Sequence, residues 1–180
     1  MSSLSFLDSD DFTIKQGTSG ALLCHDLQYV SLVLFYSTHC VYCQKLIPIF
    51  KQLPQLIVGC QFAEINISVN KRILEMSHQT ITPIKYVPLI ILYVNGIPYM
   101  EYKGPYDINE IRKFIMETYA MIEKNISFNK SNTTTYPNKE HPNVHHNPAH
   151  KRIPAYSLGE PLAGDEQRCY LTVAEMQGGR

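Results

Sequence analysis

The sequence predicts an α/β fold, a central mixed β-sheet flanked by helices, followed by a mostly irregular C-terminal tail. Three observations carry this. Apolar runs of strand length alternate with amphipathic stretches over residues 1–125, and their β-α-β-α order favours parallel pairing. Asn95-Gly96 between two strand-like runs marks an antiparallel hairpin. Residues 126–155 are Asn, Thr, Pro and His with scarcely an apolar side chain, the composition of a linker that cannot bury a core.

The elements follow in order. The segment around Phe12 to Asp26 is a leading piece of unassigned type. Ser31-Leu32-Val33-Leu34-Phe35-Tyr36 is a continuous apolar run, short enough for a strand buried on both faces. Directly after it, Leu46, Ile47, Ile49, Phe50, Leu53, Leu56 and Ile57 recur at helical spacing, placing a helix immediately after Cys40. Pro48 must kink that helix, because proline removes one intrahelical hydrogen bond and crowds the preceding turn. Gln61 to Asn66 reads as the next strand and Lys71 to His78 as a short helix. Pro88 to Val94 and Ile97 to Lys103 form the two arms of the hairpin. Asp107 caps a last helix running to about Lys124, with Ile108, Ile111, Phe114, Ile115, Thr118, Met121 and Ile122 on its inner face.

Composition narrows the class. The 180 residues, 44% of them apolar, supply one core of about 100 to 150 residues rather than two full domains. A formal net charge of zero leaves no electrostatic footprint for nucleic acid or an anionic membrane, so neither is expected as a partner. The N-terminus carries acids where a secretory signal would be positive, and no run approaches the roughly 20 apolar residues of a membrane span. A cytoplasmic protein is the expectation, with the sequons at Asn66, Asn125 and Asn132 idle. Five cysteines, at 24, 40, 43, 60 and 169, are an odd number with one close pair, unlike the disulfide framework of a small secreted domain. Zinc needs about four ligands, and neither Cys60 nor Cys169 has a second Cys or His two to four residues away. No metal and no cofactor are expected.

Cys40-Val41-Tyr42-Cys43 is the motif with chemistry. A CxxC at a helix N-terminus meets unpaired backbone N–H groups and the positive end of the helix dipole, which favour the thiolate of the first cysteine. Such settings lower a cysteine pKa from about 8.5 to roughly 3.5–7.5. Cys40 is then the nucleophile toward a substrate disulfide, and Cys43 the thiol that resolves the mixed disulfide.

Over roughly residues 10–124 the chain resembles the thioredoxin superfamily. The resemblance rests on the apolar strand before Cys40, Pro48 five residues after Cys43, Val87-Pro88, the Asn95-Gly96 hairpin and the terminal helix. It implies a thioredoxin fold and thiol–disulfide exchange with protein disulfides or dithiols, through an unidentified reductant or oxidant. It also implies a cis proline at Pro88, lying against the cysteines and, with Val87, shaping the groove where substrate backbone pairs. Val41, Tyr42 and His39 flank the pair as substrate contacts. His39 replaces the family's tryptophan, as an exposed contact residue or as an imidazolium favouring the Cys40 thiolate. Leu34 stands where the family has a buried acid that relays the resolving thiol's proton, and Glu64 replaces the family's lysine on the adjacent strand. Glu64 is therefore either a catalytic acid moved to the neighbouring strand or a solvent-facing strand-end residue. Two alternatives stay open: a virion-associated or scaffold interaction protein with little catalysis, and a glutathione-linked, glutaredoxin-like reductase, suggested by Tyr42 and the Val-Pro.

Cys24 and Cys60 read as small core residues. His141, His145, His146 and His150 lie in the linker without acidic or cysteine partners at metal-binding spacing. Residues 156–180 regain some apolar content but are too short to fold alone, and docking on a sheet edge, a partner or another protomer would bury them. A regulatory role for Cys169 would show it bridged to Cys40 or Cys43. The whole chain resembles thioredoxin-like proteins encoded by giant nucleocytoplasmic large DNA viruses, which implies a redox protein of the host cytoplasm or one packaged in the virion.

Overall fold

The apolar run predicted at Ser31–Tyr36 lies in the middle of a five-stranded mixed sheet in the computed structural model, which describes residues 3–131 and 167–171. The N-terminal strands are β1 (Leu4–Phe6), β2 (Phe12–Gly17), β3 (Gly20–His25) and β4 (Val30–Tyr36). The helix after the cysteines is α1 (Val41–Phe50), followed by α2 (Leu53–Leu56), β5 (Cys60–Asn66) and α3 (Arg72–His78). Next come β6 (Tyr86–Val87), β7 (Leu89–Val94), β8 (Ile97–Tyr102) and α4 (Ile108–Ser131), and a two-residue strand of the tail, β9 (Cys169–Tyr170), completes the described elements.

The main sheet has the order β1-β5-β4-β7-β8. β4 pairs parallel with β5 and antiparallel with β7, as the β-α-β unit and the hairpin require. The hairpin turn shows why Asn-Gly is used. Asn95 and Gly96 both have positive φ (50° and 74°), and a Cβ on Gly96 would collide with the His25 carbonyl. That close approach lets the His25 N–H donate to the Gly96 carbonyl at 3.0 Å, fastening the leading segment to the turn.

The leading segment, of unassigned type in the sequence, is the β2–β3 hairpin, with β1 added parallel to β5 at the sheet edge. Side chains opposite each other across paired strands share a face. Leu34, Glu64, Ile90 and Tyr102 therefore point to one side, together with Leu46, Phe50, Leu53, Ile111 and Ile115 of the helices α1, α2 and α4. Val33, Ala63, Ile91 and Glu101 point to the other, over Ile73 and Leu74 of α3 and Phe12 and Leu23 of the hairpin. Both faces of β4 are sealed, which explains its unbroken apolar run.

Asp107 caps α4 as expected: Oδ1 accepts from the Asn109 N–H at 2.8 Å and the Glu110 N–H at 3.2 Å. The helix runs on to Ser131, past the expected end near Lys124, and Met121 is 41% exposed rather than on the inner face. Its neighbour Tyr119 instead turns toward the sheet, donating to the Gly59 carbonyl. Pro48 lies inside α1, and the helical path breaks at Lys51-Gln52 before resuming as α2.

Candidate functional site

Cys40 is the N-cap residue of α1: its backbone is extended, and its carbonyl accepts the first intrahelical bond from the Gln44 N–H at 3.1 Å. Cys40 thus stands at the positive end of the α1 dipole, a position that favours a thiolate when the sulfur is reduced. Sγ lies 3.5 Å from the Val87 carbonyl oxygen, so β6 passes directly beside the Cys40 sulfur. The Val87–Pro88 peptide is cis and both residues are buried. Cys43, one turn on and fully buried, accepts a long contact from the Ser37 N–H at 3.5 Å. Burial pushes its thiol up to about 11, against the smaller opposing effect of that N–H.

A sequence model of the family described as Thioredoxin matches residues 24–117, the stretch that holds this constellation. The chain belongs to the thioredoxin family. Uncharacterized protein 020R of Invertebrate iridescent virus 3 is 30% identical over 176 residues, covering 94% of this chain and 93% of the relative. Uncharacterized protein 196R of Invertebrate iridescent virus 6 is 39% identical over 124 residues, 65% of this chain and 71% of the relative. The expected likeness to proteins of large DNA viruses is thereby borne out. Among solved structures, human ERp44 matches with a TM-score of 0.49 and 21% identity over 65% of this chain, which spans only 29% of the ERp44 chain. A mutant thioredoxin from Halobacterium salinarum matches with a TM-score of 0.46 and 19% identity, covering 64% of this chain and 89% of that one.

Around this thioredoxin pair, the flanking residues separate by exposure. His39 and Val41 are exposed and Tyr42 is half-buried, with the Lys45 ammonium 5.8 Å from its ring centre. Glu64 is not a solvent-facing strand-end residue: its side chain is 1% exposed, beneath α1, with Lys51 Nζ 3.8 Å from Oε1. Desolvation raises its pKa, opposed by the half-exposed Lys51. Leu34, the position of the family's acid, is directly opposite Glu64 in the β4–β5 register and shares its face. Burial pushes the Tyr36 phenol up, and the fields of Glu64 and Cys43 add to the shift.

The tail supplies what motif reading could only pose as a question. Cys169 is disulfide-bonded to Cys40, across a sequence separation of 129. Around that bond the tail lies antiparallel along β6, with Tyr170 opposite Tyr86 and Cys169 opposite Val87, and the Leu171 N–H donates to the Lys85 carbonyl at 3.0 Å. The groove that the family resemblance assigned to substrate is occupied by the chain's own residues. Cys24, Cys43 and Cys60 are free thiols, all buried, and burial pushes Cys60 up to about 12. Glu101, Tyr86 and Tyr106 contact the docked tail, whose Arg168 reaches Glu101 and Tyr86, and none of the four was singled out as a site residue in the sequence. The four linker histidines lie outside the described residues. Among the described residues no group of three or more His, Cys, Asp or Glu could hold a metal, and no helix is long and apolar enough to cross a membrane.

Proposed function

We propose that this protein is a thiol–disulfide oxidoreductase acting on protein disulfides, with Cys40 as nucleophile, Cys43 as resolving thiol and Val87 with Pro88 forming the substrate groove. The observation that carries the reading is the tail itself. A cysteine in an extended segment, paired on β6 and bonded to Cys40, has the geometry of a substrate caught as the mixed disulfide.

The exchange balances without any external oxidant. The Cys40 thiolate attacks one sulfur of a substrate disulfide, forming Cys40–S–S–substrate and releasing the other sulfur as a thiolate. Cys43, once deprotonated, attacks Cys40 Sγ, forming Cys40–S–S–Cys43 and releasing the second substrate thiolate. The same attack on the present disulfide would free Cys169. A thiol held up at about 11 needs a base. Glu64, buried on the strand beside Leu34, is the candidate acceptor. His39, Val41 and Tyr42 flank the incoming chain. The setting for this chemistry is the host cytoplasm or the virion.

Insulin reduction with dithiothreitol tests the reading: wild type should accelerate precipitation and Cys40→Ser should not. Equal rates would overturn it. Leu34 at the usual acid position favours one other reading, a binding protein that captures a partner thiol on this fold with little turnover. It predicts a stable mixed disulfide with wild-type protein, where the oxidoreductase accumulates one only with Cys43→Ser.

A further inference from the structure

Arg168, the residue just before the disulfide-bonded Cys169, is placed with more care than a surface arginine needs. Its side chain is only 8% exposed, its guanidinium carbon stands 4.1 Å from the centre of the Tyr86 ring, and a guanidinium nitrogen is 4.0 Å from Glu101 Oε1. Glu101, on β8, is itself 2% exposed, accepts a hydrogen bond from the Tyr86 hydroxyl and has Lys103 Nζ 3.8 Å from Oε2. A buried carboxylate is tolerated when cations and hydrogen bonds surround it, and an aromatic face with an acid behind it attracts a flat, weakly hydrated cation. The residues on either side are held in register. The Tyr170 ring packs edge-on against Tyr86 at 5.8 Å, and the Tyr106 hydroxyl donates to the Gln167 carbonyl at 3.1 Å.

We propose that Tyr86 and Glu101 form a specificity subsite for a basic side chain, arginine above all, immediately preceding the reacting cysteine of a polypeptide substrate. The tail sequence Gln167-Arg168-Cys169-Tyr170-Leu171 is the built-in copy of that substrate class. Backbone pairing along Lys85–Val87 is indifferent to sequence, so selectivity must come from the side chains on either side of the cysteine. Of these, the one in front carries a charge and meets a buried acid. This assignment rests on the reading of Cys40 as the nucleophile and of β6 as the substrate edge.

The test uses the full chain carrying Arg168→Ala and Cys169→Ser, so that the tail competes neither covalently nor for the subsite. Peptides Gln-Xaa-Cys-Tyr-Leu, with Xaa as Arg, Lys, Ala or Glu, are activated as mixed disulfides with 2-nitro-5-thiobenzoate. The Cys40 thiolate attacks the peptide sulfur, the peptide–aryl S–S bond breaks, and the coloured aryl thiolate leaves. The expected order is Arg, Lys, Ala, Glu, with the Arg peptide about tenfold faster than the Ala peptide. In Glu101→Gln the Arg-to-Ala ratio should fall toward one. Because that substitution could disturb folding, the peptide series on the unaltered subsite decides alone. Equal rates for all four peptides, with exchange proceeding, would overturn the subsite and leave the oxidoreductase reading standing. No exchange with any peptide or with 5,5′-dithiobis(2-nitrobenzoate) would overturn that reading and the subsite together.

Discussion

Two glutamates lie buried on opposite faces of the same sheet, Glu64 beneath α1 behind the cysteine pair and Glu101 beneath the docked tail. Their surroundings differ. Glu64 has one cation at 3.8 Å, the half-exposed Lys51, and burial dominates its behaviour, raising its pKa. Glu101 has Lys103, Arg168 and the Tyr86 hydroxyl, three groups that favour the ionised form. A carboxyl whose proton is easily gained suits proton transfer to and from Cys43. One whose charge is held suits recognition of a cation. Two residues of one type, equally hidden, are thus assigned different work by what stands around them.

Four measurements would break or sharpen this contrast, the largest effect belonging to neither glutamate. His25 is buried, and desolvation holds its pKa at about 4, below the ordinary 6.5, while Nδ1 accepts from the Leu27 N–H at 3.1 Å. The unfolded chain therefore binds this proton first. The stability due to neutral His25 is fully present above about pH 6.5 and is lost as pH falls toward about 4, ~3 kcal/mol in all. Denaturant unfolding across that range should show the decline, and His25→Gln should flatten it. Any acid effect of the glutamates must be read after this one is removed.

Next is turnover. Glu64→Gln should slow insulin reduction about a hundredfold and abolish the rise in rate as pH passes through the Glu64 pKa, because the deprotonated form accepts the thiol proton. An unchanged rate and pH profile would remove Glu64 from the mechanism. Third, Glu101→Leu should lower stability by about 2 kcal/mol at neutral pH, since it strips buried partners from Tyr86 and Arg168. Smallest, Glu64→Leu should raise stability by about 1 kcal/mol at neutral pH. A raised folded pKa means that ionised Glu64 opposes folding above that pKa, and the opposition fades as pH falls through it. If both leucine variants moved stability in the same direction, the two carboxyls would not differ as described.

Much of this was legible from local patterns. The buried run before Cys40, the helical spacing after it and the Asn95-Gly96 turn are contacts between near neighbours, and each formed where expected. The cis peptide at Pro88 was carried by family resemblance, since nothing local to Val87-Pro88 demands it. The leading segment was not legible as strands because β2 and β3 find their cover against α3 and the Gly96 turn, which are distant in sequence. Glu64 stands between two readings in the sequence for a related reason. Alternation along Gln61–Asn66 says which side of β5 it takes, but not whether α1 covers that side.

What the sequence by itself determined is the order of strands and helices with Cys40 and Cys43 at the head of a helix, because hydrophobic period, turn chemistry and capping act over a few residues; the thioredoxin framework came by resemblance. It named Cys169 only as a thiol that could bridge to either cysteine. Tertiary structure decided that the bond is to Cys40, that the tail pairs on β6, and that Arg168 rests between Tyr86 and Glu101. Cys40 meets Val87 across 47 positions and Cys169 across 129, and over such separations complementarity of shape and charge leaves no period to read.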